Sequence, residues 1–286
     1  MLAGALFGTA GTAVTFAPNE ASTSSLGFAR LFVGALFLIA LLPRLNGNRR
    51  ALFGLVRHPL VWVMAICSAA YQPLFFGATQ RNGVAISTLL TVGCIPIYTG
   101  IVGRIFRREI IKKQWIAATT LAIVGLAIRS WSQIELKNVT GVLMAVTAGI
   151  SVSFYLNAAK SELQKSNFKM ELPAVAYLLG SLFLIPLIIS EPLSWVLRPS
   201  GFVVALYLGI VTMALANALQ ISGLGKLPAG PTATLMLADP FTATILGVVL
   251  LHEEFNGIAL LGVILVAIAL VWQSLSESRT KQVLPL

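Results

Sequence analysis

The sequence predicts an all-α polytopic membrane protein, with ten transmembrane helices arranged as two inverted five-helix repeats. Of its 286 residues, 57% are hydrophobic and only 10% are charged, and the mean hydropathy is +0.88. A soluble domain carries charge at about 25% of its positions. The apolar residues form ten runs, and the second half of the chain repeats the pattern of the first. Together these observations predict a helical bundle that is embedded in lipid.

The ten apolar runs have the length of a membrane span or nearly so, because about 20 helical residues cross the hydrocarbon core. The first run is short, the third contains Gln72-Pro73, and the fourth contains Pro96. In chain order the predicted spans are Leu2–Ala17, Leu26–Leu42, Leu60–Thr79, Gly83–Gly103, Gln114–Ile128, Thr140–Ala158, Leu172–Ser190, Phe202–Ser222, Pro228–Leu251 and Gly257–Trp272.

The ninth span has a carboxylate near its middle. Asp239 is the only charged residue in Pro228–Leu251, and it directly precedes Pro240. A carboxylate that faces lipid costs on the order of a few kcal/mol, so it is expected to face protein or water. Proline removes a backbone donor and weakens the helix at that level. An acid beside a helix break at mid-membrane depth is typical of transport sites.

Two weak internal matches indicate a duplicated unit. A shift of 144 positions aligns three pairs without a gap and places Ile95 on Asp239; the pairs are Pro96 with Pro240, Gly103 with Gly247, and Glu109 with Glu253. A shift of 137 aligns Gly4, Leu6, Gly8 and Thr12 with Gly141, Leu143, Ala145 and Gly149. The predicted repeats are residues 1–134 and 135–286. Five spans in each repeat require the second to be inverted in the membrane.

Small residues recur four positions apart in the first and sixth spans. They are Gly4, Gly8 and Thr12 in one, and Gly141, Ala145 and Gly149 in the other. Such stripes let helix backbones approach closely. These stripes are explained either by tight packing or by helices that slide or rock against each other.

Lysine and arginine are distributed unevenly between the predicted loops. One set of loops holds fifteen of these residues, and the opposite set holds only Arg81, Arg129, Lys137 and Arg198. Cytoplasmic loops are enriched in Lys and Arg. The bias predicts that both termini are cytoplasmic. We expect the protein to lie in the inner (plasma) membrane. The formal charge of +10 therefore reflects orientation and does not indicate nucleic-acid binding.

The sequence offers little for catalysis, metals or cofactors. The only histidines, His58 and His252, lie near span ends, and His252-Glu253-Glu254 lacks the second histidine of a zinc helix. Cys67 and Cys94 both fall inside apolar runs, which argues against a disulfide framework. We expect no enzyme activity, no cofactor and no metal.

Polar and aromatic groups inside the spans are the candidate substrate-binding residues, because buried polar groups must find partners and a cavity supplies them. Asp239 either carries a proton or pairs with an ammonium group, or it bonds the helix break. Arg30 either extends to the nearby membrane surface or pairs with an anion or with Asp239. The candidates are Tyr71, Gln72, Tyr98, Tyr155, Asn157, Asn217, Gln220 and Asp239. Amides, hydroxyls and rings together suit a small zwitterion.

The fourth and ninth spans, Gly83–Glu109 and Ala229–Glu253, resemble the duplicated unit of the EamA-type family of drug/metabolite transporters. In that unit a mid-span proline is followed by a Gly/Leu-rich turn and a glutamate, and an acid commonly precedes the proline, as at Asp239-Pro240. The resemblance implies ten helices, a central cavity and alternating access, with export of amino acids or similar small metabolites. Protons are a candidate coupling ion. The alternatives are an uptake carrier or exchanger for another metabolite or drug, and a channel.

Overall fold

The computed structural model describes residues 1–45, 49–131, 138–166, 168–189, 191, 193–251 and 257–283. Within these ranges the regular structure is helical throughout. The helices are α1 (Leu2–Val14), α2 (Thr23–Leu41), α3 (Arg49–Leu55), α4 (Pro59–Asn82), α5 (Val84–Arg107), α6 (Lys113–Ser130), α7 (Val139–Lys165), α8 (Glu171–Ile188), α9 (Pro199–Tyr207), α10 (Ala216–Lys226), α11 (Ala229–Leu235), α12 (Ala238–Leu251) and α13 (Gly257–Val283). A π-helical stretch, Leu208–Leu215, joins α9 to α10.

The prediction of an all-helical, polytopic membrane protein is confirmed. Among the described residues, eight helical segments are long and apolar enough to cross a membrane, and Leu2–Val14 is a shorter apolar helix. The predicted fifth span corresponds to α6, whose 18 residues include Lys113, Gln114 and Arg129 and are therefore less apolar. Large aliphatic side chains such as Leu182, Val203 and Ile264 are exposed on the outside of the bundle, as lipid contact requires. Ten spans in two repeats stay a prediction.

The third and fourth spans are less interrupted by proline than the sequence suggests. Pro73 lies inside α4 and Pro96 lies inside α5, and both helices continue through them. Proline is tolerated in a membrane helix because packed neighbours and local adjustments satisfy the freed carbonyl. The sixth and tenth spans also extend further than predicted, to Lys165 and Val283.

Small residues of the two predicted stripes lie at close helix contacts. In α1, a Cβ added at Gly8 would lie 2.3 Å from the Asp239 carbonyl oxygen of α12. In α7, a Cβ added at Gly149 would lie 2.5 Å from the Thr91 carbonyl oxygen of α5. The stripes predicted from the sequence are therefore packing surfaces, and the backbone of Asp239 is held directly against α1.

The remaining contacts bring helices from both halves of the chain around one centre. α2 packs on α8, α4 packs on α7 and α8, and α6 packs along α13. The largest apolar cluster includes Leu31 of α2, Met64 of α4 and Leu156 of α7. Side chains on the inner faces of α2, α4, α7 and α8 are consequently close to one another.

Candidate functional site

Three ionisable side chains from different helices meet inside the bundle. Arg30 of α2 interacts electrostatically with Tyr71 of α4 and with Asp239 of α12, and Tyr71 interacts with Asp239. All three side chains lie inside the protein, and each of the three residues is only partly buried. Charged groups in membrane helices face the bundle interior or a water-filled cavity. We therefore infer that Arg30, Tyr71 and Asp239 line an interior space, which we call the central hollow.

Asp239 is presented to the central hollow by a broken helix. α11 ends at Leu235 and α12 begins at Ala238, so the break lies just before the Asp239-Pro240 pair that the sequence indicated. Pro240 has no N–H for the Met236 carbonyl four residues earlier, and the Asp239 N–H donates to that carbonyl instead, at 2.9 Å. Asp239 therefore lies in the first turn of α12, where the helix dipole favours an anion.

The guanidinium of Arg30, in the same space, has few hydrogen-bond partners. Its Nε is buried without a hydrogen-bond partner, and its Nη2 lies 3.5 Å from the sulfur of Met213, which is a weak acceptor. No ion pair within 4.0 Å joins Arg30 to Asp239 in the described part of the chain. The sequence favoured an arginine extended to the membrane surface, whereas the structure places this side chain among the helices.

Two stacked tyrosines form a wall near the hollow. The Tyr155 hydroxyl of α7 donates to the Tyr177 hydroxyl of α8 at 2.9 Å, and the ring centroids are 5.9 Å apart. Asn217 of α10 and Arg30 of α2 also lie close to Tyr177. Sequence reasoning selected Tyr155 and Asn217 but missed Tyr177. The available signal was a single phenol in the otherwise apolar run Leu172–Ser190.

Four of the eight predicted site residues have no described contact with this group. Gln72 packs against the Gly27 position of α2, and its Oε1 is buried without a partner. Gln220 is buried and Tyr98 is half-buried, and no hydrogen bond of the described residues joins either to the central hollow. Asn157 belongs to a separate polar network. The structure thus relates Tyr71, Tyr155, Asn217 and Asp239 to Arg30 and Tyr177, holds Asn157 elsewhere, and gives Gln72, Gln220 and Tyr98 no described contact with this group.

The separate network, which we call the end network, ties the end of α5 to α7 and α11. Arg107 forms an ion pair with Glu109 at 3.0 Å and donates to both the Oδ1 and the backbone carbonyl of Asn157, at 2.5 and 2.9 Å. Glu109 in turn accepts from the Ala229 N–H at the start of α11, at 3.2 Å. A carboxylate on an unpaired helix N–H satisfies that donor and complements the helix dipole.

A left-handed turn and a lysine complete the end network. Arg108 has φ of 54°, which turns the chain so that the Glu109 N–H bonds the Gly103 carbonyl at 3.2 Å. Lys160 of α7 donates to the Leu224 and Leu227 carbonyls at 2.7 and 2.8 Å, where α10 ends. Four helices are therefore joined at one end of the bundle. The predicted counterpart Glu253 lies outside the described residues.

A crevice lies beside the end network and apart from the central hollow. Its lining includes Gly100, Glu109, Trp115, Gly230 and Glu277. Trp115 closes one side by donating from Nε1 to the Thr234 hydroxyl at 2.9 Å. Across the described ranges, no three His, Cys, Asp or Glu side chains are grouped closely enough to hold a metal ion.

Comparison with known proteins gives one family and one overall architecture. The family model described as "EamA-like transporter family" matches residues 1–131 and 139–275. An uncharacterized transporter of Bacillus subtilis (strain 168), YwfM, is 32% identical, and the alignment covers 98% of this chain and 94% of that protein. A solved structure described only as the crystal structure of a protein is similar with a TM-score of 0.82 at 19% identity, covering 98% of this chain and 96% of the other. At that identity the last similarity concerns the fold alone.

Proposed function

Because this chain belongs to the EamA-like transporter family, we propose that it is a secondary transporter that exports amino acids or similar small metabolites across the inner membrane. The chain is a multi-pass membrane transporter by family and by its apolar helices. The observation that carries the finer proposal is the central hollow. It combines a guanidinium, a carboxylate and a phenol in the interior of the bundle, and these supply the hydrogen-bond donors and acceptors that a small polar metabolite requires.

The helix packing supports two inverted repeats, with residues 1–134 and 135–286 as the proposed units. The family model matches each half separately. In two five-span repeats, each span of the first repeat corresponds to the span five places later. When corresponding spans are exchanged, the contact of α5 with α7 becomes the contact of α12 with α1. The contact of α4 with α8 becomes the contact of α2 with the π-helical stretch. Such exchange is expected when two copies are related by a pseudo-two-fold axis in the membrane plane.

The topology has a direct test. Accessible tags near Arg50 and Glu254 are expected on opposite sides of the membrane. Arg50 lies on the same side as the loop after the fourth span, and the inverted counterpart of that loop contains Glu254. Labelling of intact cells with an impermeant reagent measures this. Tags that react on the same side would remove the inversion and, with it, the proposed mechanism.

We further propose that the halves alternate access to the hollow and that the end network is the closure on the cytoplasmic side. The basic loop that contains Arg107 belongs to the lysine- and arginine-rich set, which favours this orientation. The network joins α5 and α7 to α10 and α11, so the central hollow opens to this side only when these bonds break. Tyr71, Tyr155, Asn217 and Asp239 are the proposed substrate contacts, and protons are proposed to compete with a bound amine for Asp239.

Counterflow in liposomes tests the transport function. The purified protein is reconstituted, the liposomes are loaded with each unlabelled amino acid in turn, and uptake of the labelled form is followed. We expect saturable accumulation for at least one amino acid, with half-saturation at millimolar concentration or below. A channel would give flux that does not saturate. Flat results across all twenty amino acids would overturn the proposed substrate class. A labelled panel of other metabolites would then show whether the protein transports a different class of substrate or does not transport at all.

A further inference from the structure

We propose that Arg30 and Asp239 form a divided charge pair that binds the two ends of one zwitterion. The Arg30 guanidinium binds the carboxylate of the ligand, and the Asp239 carboxylate binds its ammonium group. The ligand class is then a molecule with both charges close together, such as an α-amino acid, and not an organic cation or an organic anion alone. This inference rests on the proposed transport function and specifies how its site selects a substrate.

The first argument is the unused donor capacity of Arg30. A guanidinium has five N–H donors in a planar fork that matches a carboxylate. Here the Nε is buried with no partner, and the contact of Nη2 is a methionine sulfur at 3.5 Å. A buried charge that lacks hydrogen bonds is costly to the fold. A bound carboxylate supplies the strong acceptors that the protein does not provide at this position.

The second argument is the placement of Asp239 relative to Arg30. The two groups interact electrostatically, but in the described part of the chain they form no ion pair within 4.0 Å. Direct contact would let the protein charges neutralise each other and would leave little for a ligand. Their separation instead leaves one positive and one negative group facing the same hollow.

The third argument is that both charges are held in place from behind. The Asp239 backbone is fixed against α1, since a Cβ at Gly8 would lie 2.3 Å from its carbonyl oxygen. Arg30 lies on α2, where the neighbouring Leu31 is fully buried in the main apolar cluster. The backbone segments that carry the two charges are therefore held on separate helices, and the ligand bridges the two side chains.

The experiment compares three versions of one ligand in counterflow. They are the amino acid with the highest flux, its carboxamide, which lacks the carboxylate, and its deaminated acid, which lacks the ammonium. We expect each analogue to compete at least about tenfold more weakly than the amino acid, because each loses a charge-assisted pair of hydrogen bonds. In Arg30→Gln the preference for the amino acid over its carboxamide should fall at least about tenfold, and in Asp239→Asn the preference over the deaminated acid should fall similarly.

Two controls keep the result interpretable. Arg198→Gln removes an arginine from an exposed pair with Glu20, so its preferences should equal those of the unaltered protein. If Arg30→Gln does not fold, Arg30→Lys keeps the charge but loses the fork and should show a smaller fall in the same ratio. An analogue with one charge that is transported as well as the amino acid would overturn the inference while transport stands. If neither amino acids nor one-charge analogues are transported, the proposed substrate class fails as well.

Discussion

Neutralising Glu109 is the sharpest test of the end network. In Glu109→Gln the ion pair with Arg107 is lost, while a single amide oxygen remains to accept from the Ala229 N–H. The side chains of Arg107 and Glu109 are only 8% and 16% exposed, so solvent screens this pair weakly. Arg107 keeps its two bonds to Asn157. The loss of one partly compensated charged hydrogen bond amounts to about 1–2 kcal/mol.

If the bonds of the end network break when the bundle opens at this end, the lost interaction energy increases the population of the open state relative to the closed state. An energy of 1–2 kcal/mol corresponds to a change of about 5- to 30-fold in an equilibrium constant. A suitable reporter is Thr99→Cys, prepared with both native cysteines replaced by alanine. Thr99 is fully buried, and its carbonyl accepts from the Asn157 side chain at 3.3 Å. Alkylation of this cysteine by a membrane-impermeant maleimide should accelerate about 5- to 30-fold in Glu109→Gln.

The matched control is Glu20→Gln, because Glu20 pairs with Arg198 at an exposed site where both side chains are about half accessible. An exposed pair contributes little, so the alkylation rate should not change. Equal rates in Glu109→Gln and the unaltered protein, with both folded by size-exclusion chromatography, would refute the closure role. An increase of the same size in Glu20→Gln would show that the reporter responds to general loosening instead.

Three further predictions concern the hollow and its support. Gly8→Val should lower the free energy of unfolding by about 1–3 kcal/mol, because the added side chain overpacks against Asp239. Gly11→Ala should leave it unchanged, because open space surrounds that position. Thermal unfolding of the purified proteins measures both effects. Tyr177→Phe should cost about 1 kcal/mol and should be non-additive with Tyr155→Phe, because the two share a hydrogen bond; a double-mutant cycle that is strictly additive contradicts this. Asp239→Asn should abolish the dependence of transport on a pH gradient, and unchanged dependence would remove proton coupling from this residue.

The sequence identified candidate site residues because a polar side chain inside an apolar run is unusual and needs a partner. Asp239 was recognisable from one charge beside one proline in a long apolar run. Tyr71, Tyr155 and Asn217 were selected on the same ground. Asn157 satisfied the same criterion, yet it binds Arg107 at the end of the bundle. Composition does not decide whether such a side chain faces a substrate cavity or a neighbouring helix, because partners in either place satisfy its hydrogen bonds.

The sequence by itself determined the helices, their membrane environment and the stripes along which they approach, because these follow from hydrophobic length and from side-chain size. Only the tertiary structure decided which polar faces meet, since that depends on how far each helix is rotated about its axis. Contacts such as Gly8 against α12 and Gly149 against α5 fix those rotations. The same rotations turn Tyr177 toward Tyr155, hold Arg30 among the helices and bring Asp239 within electrostatic reach of it.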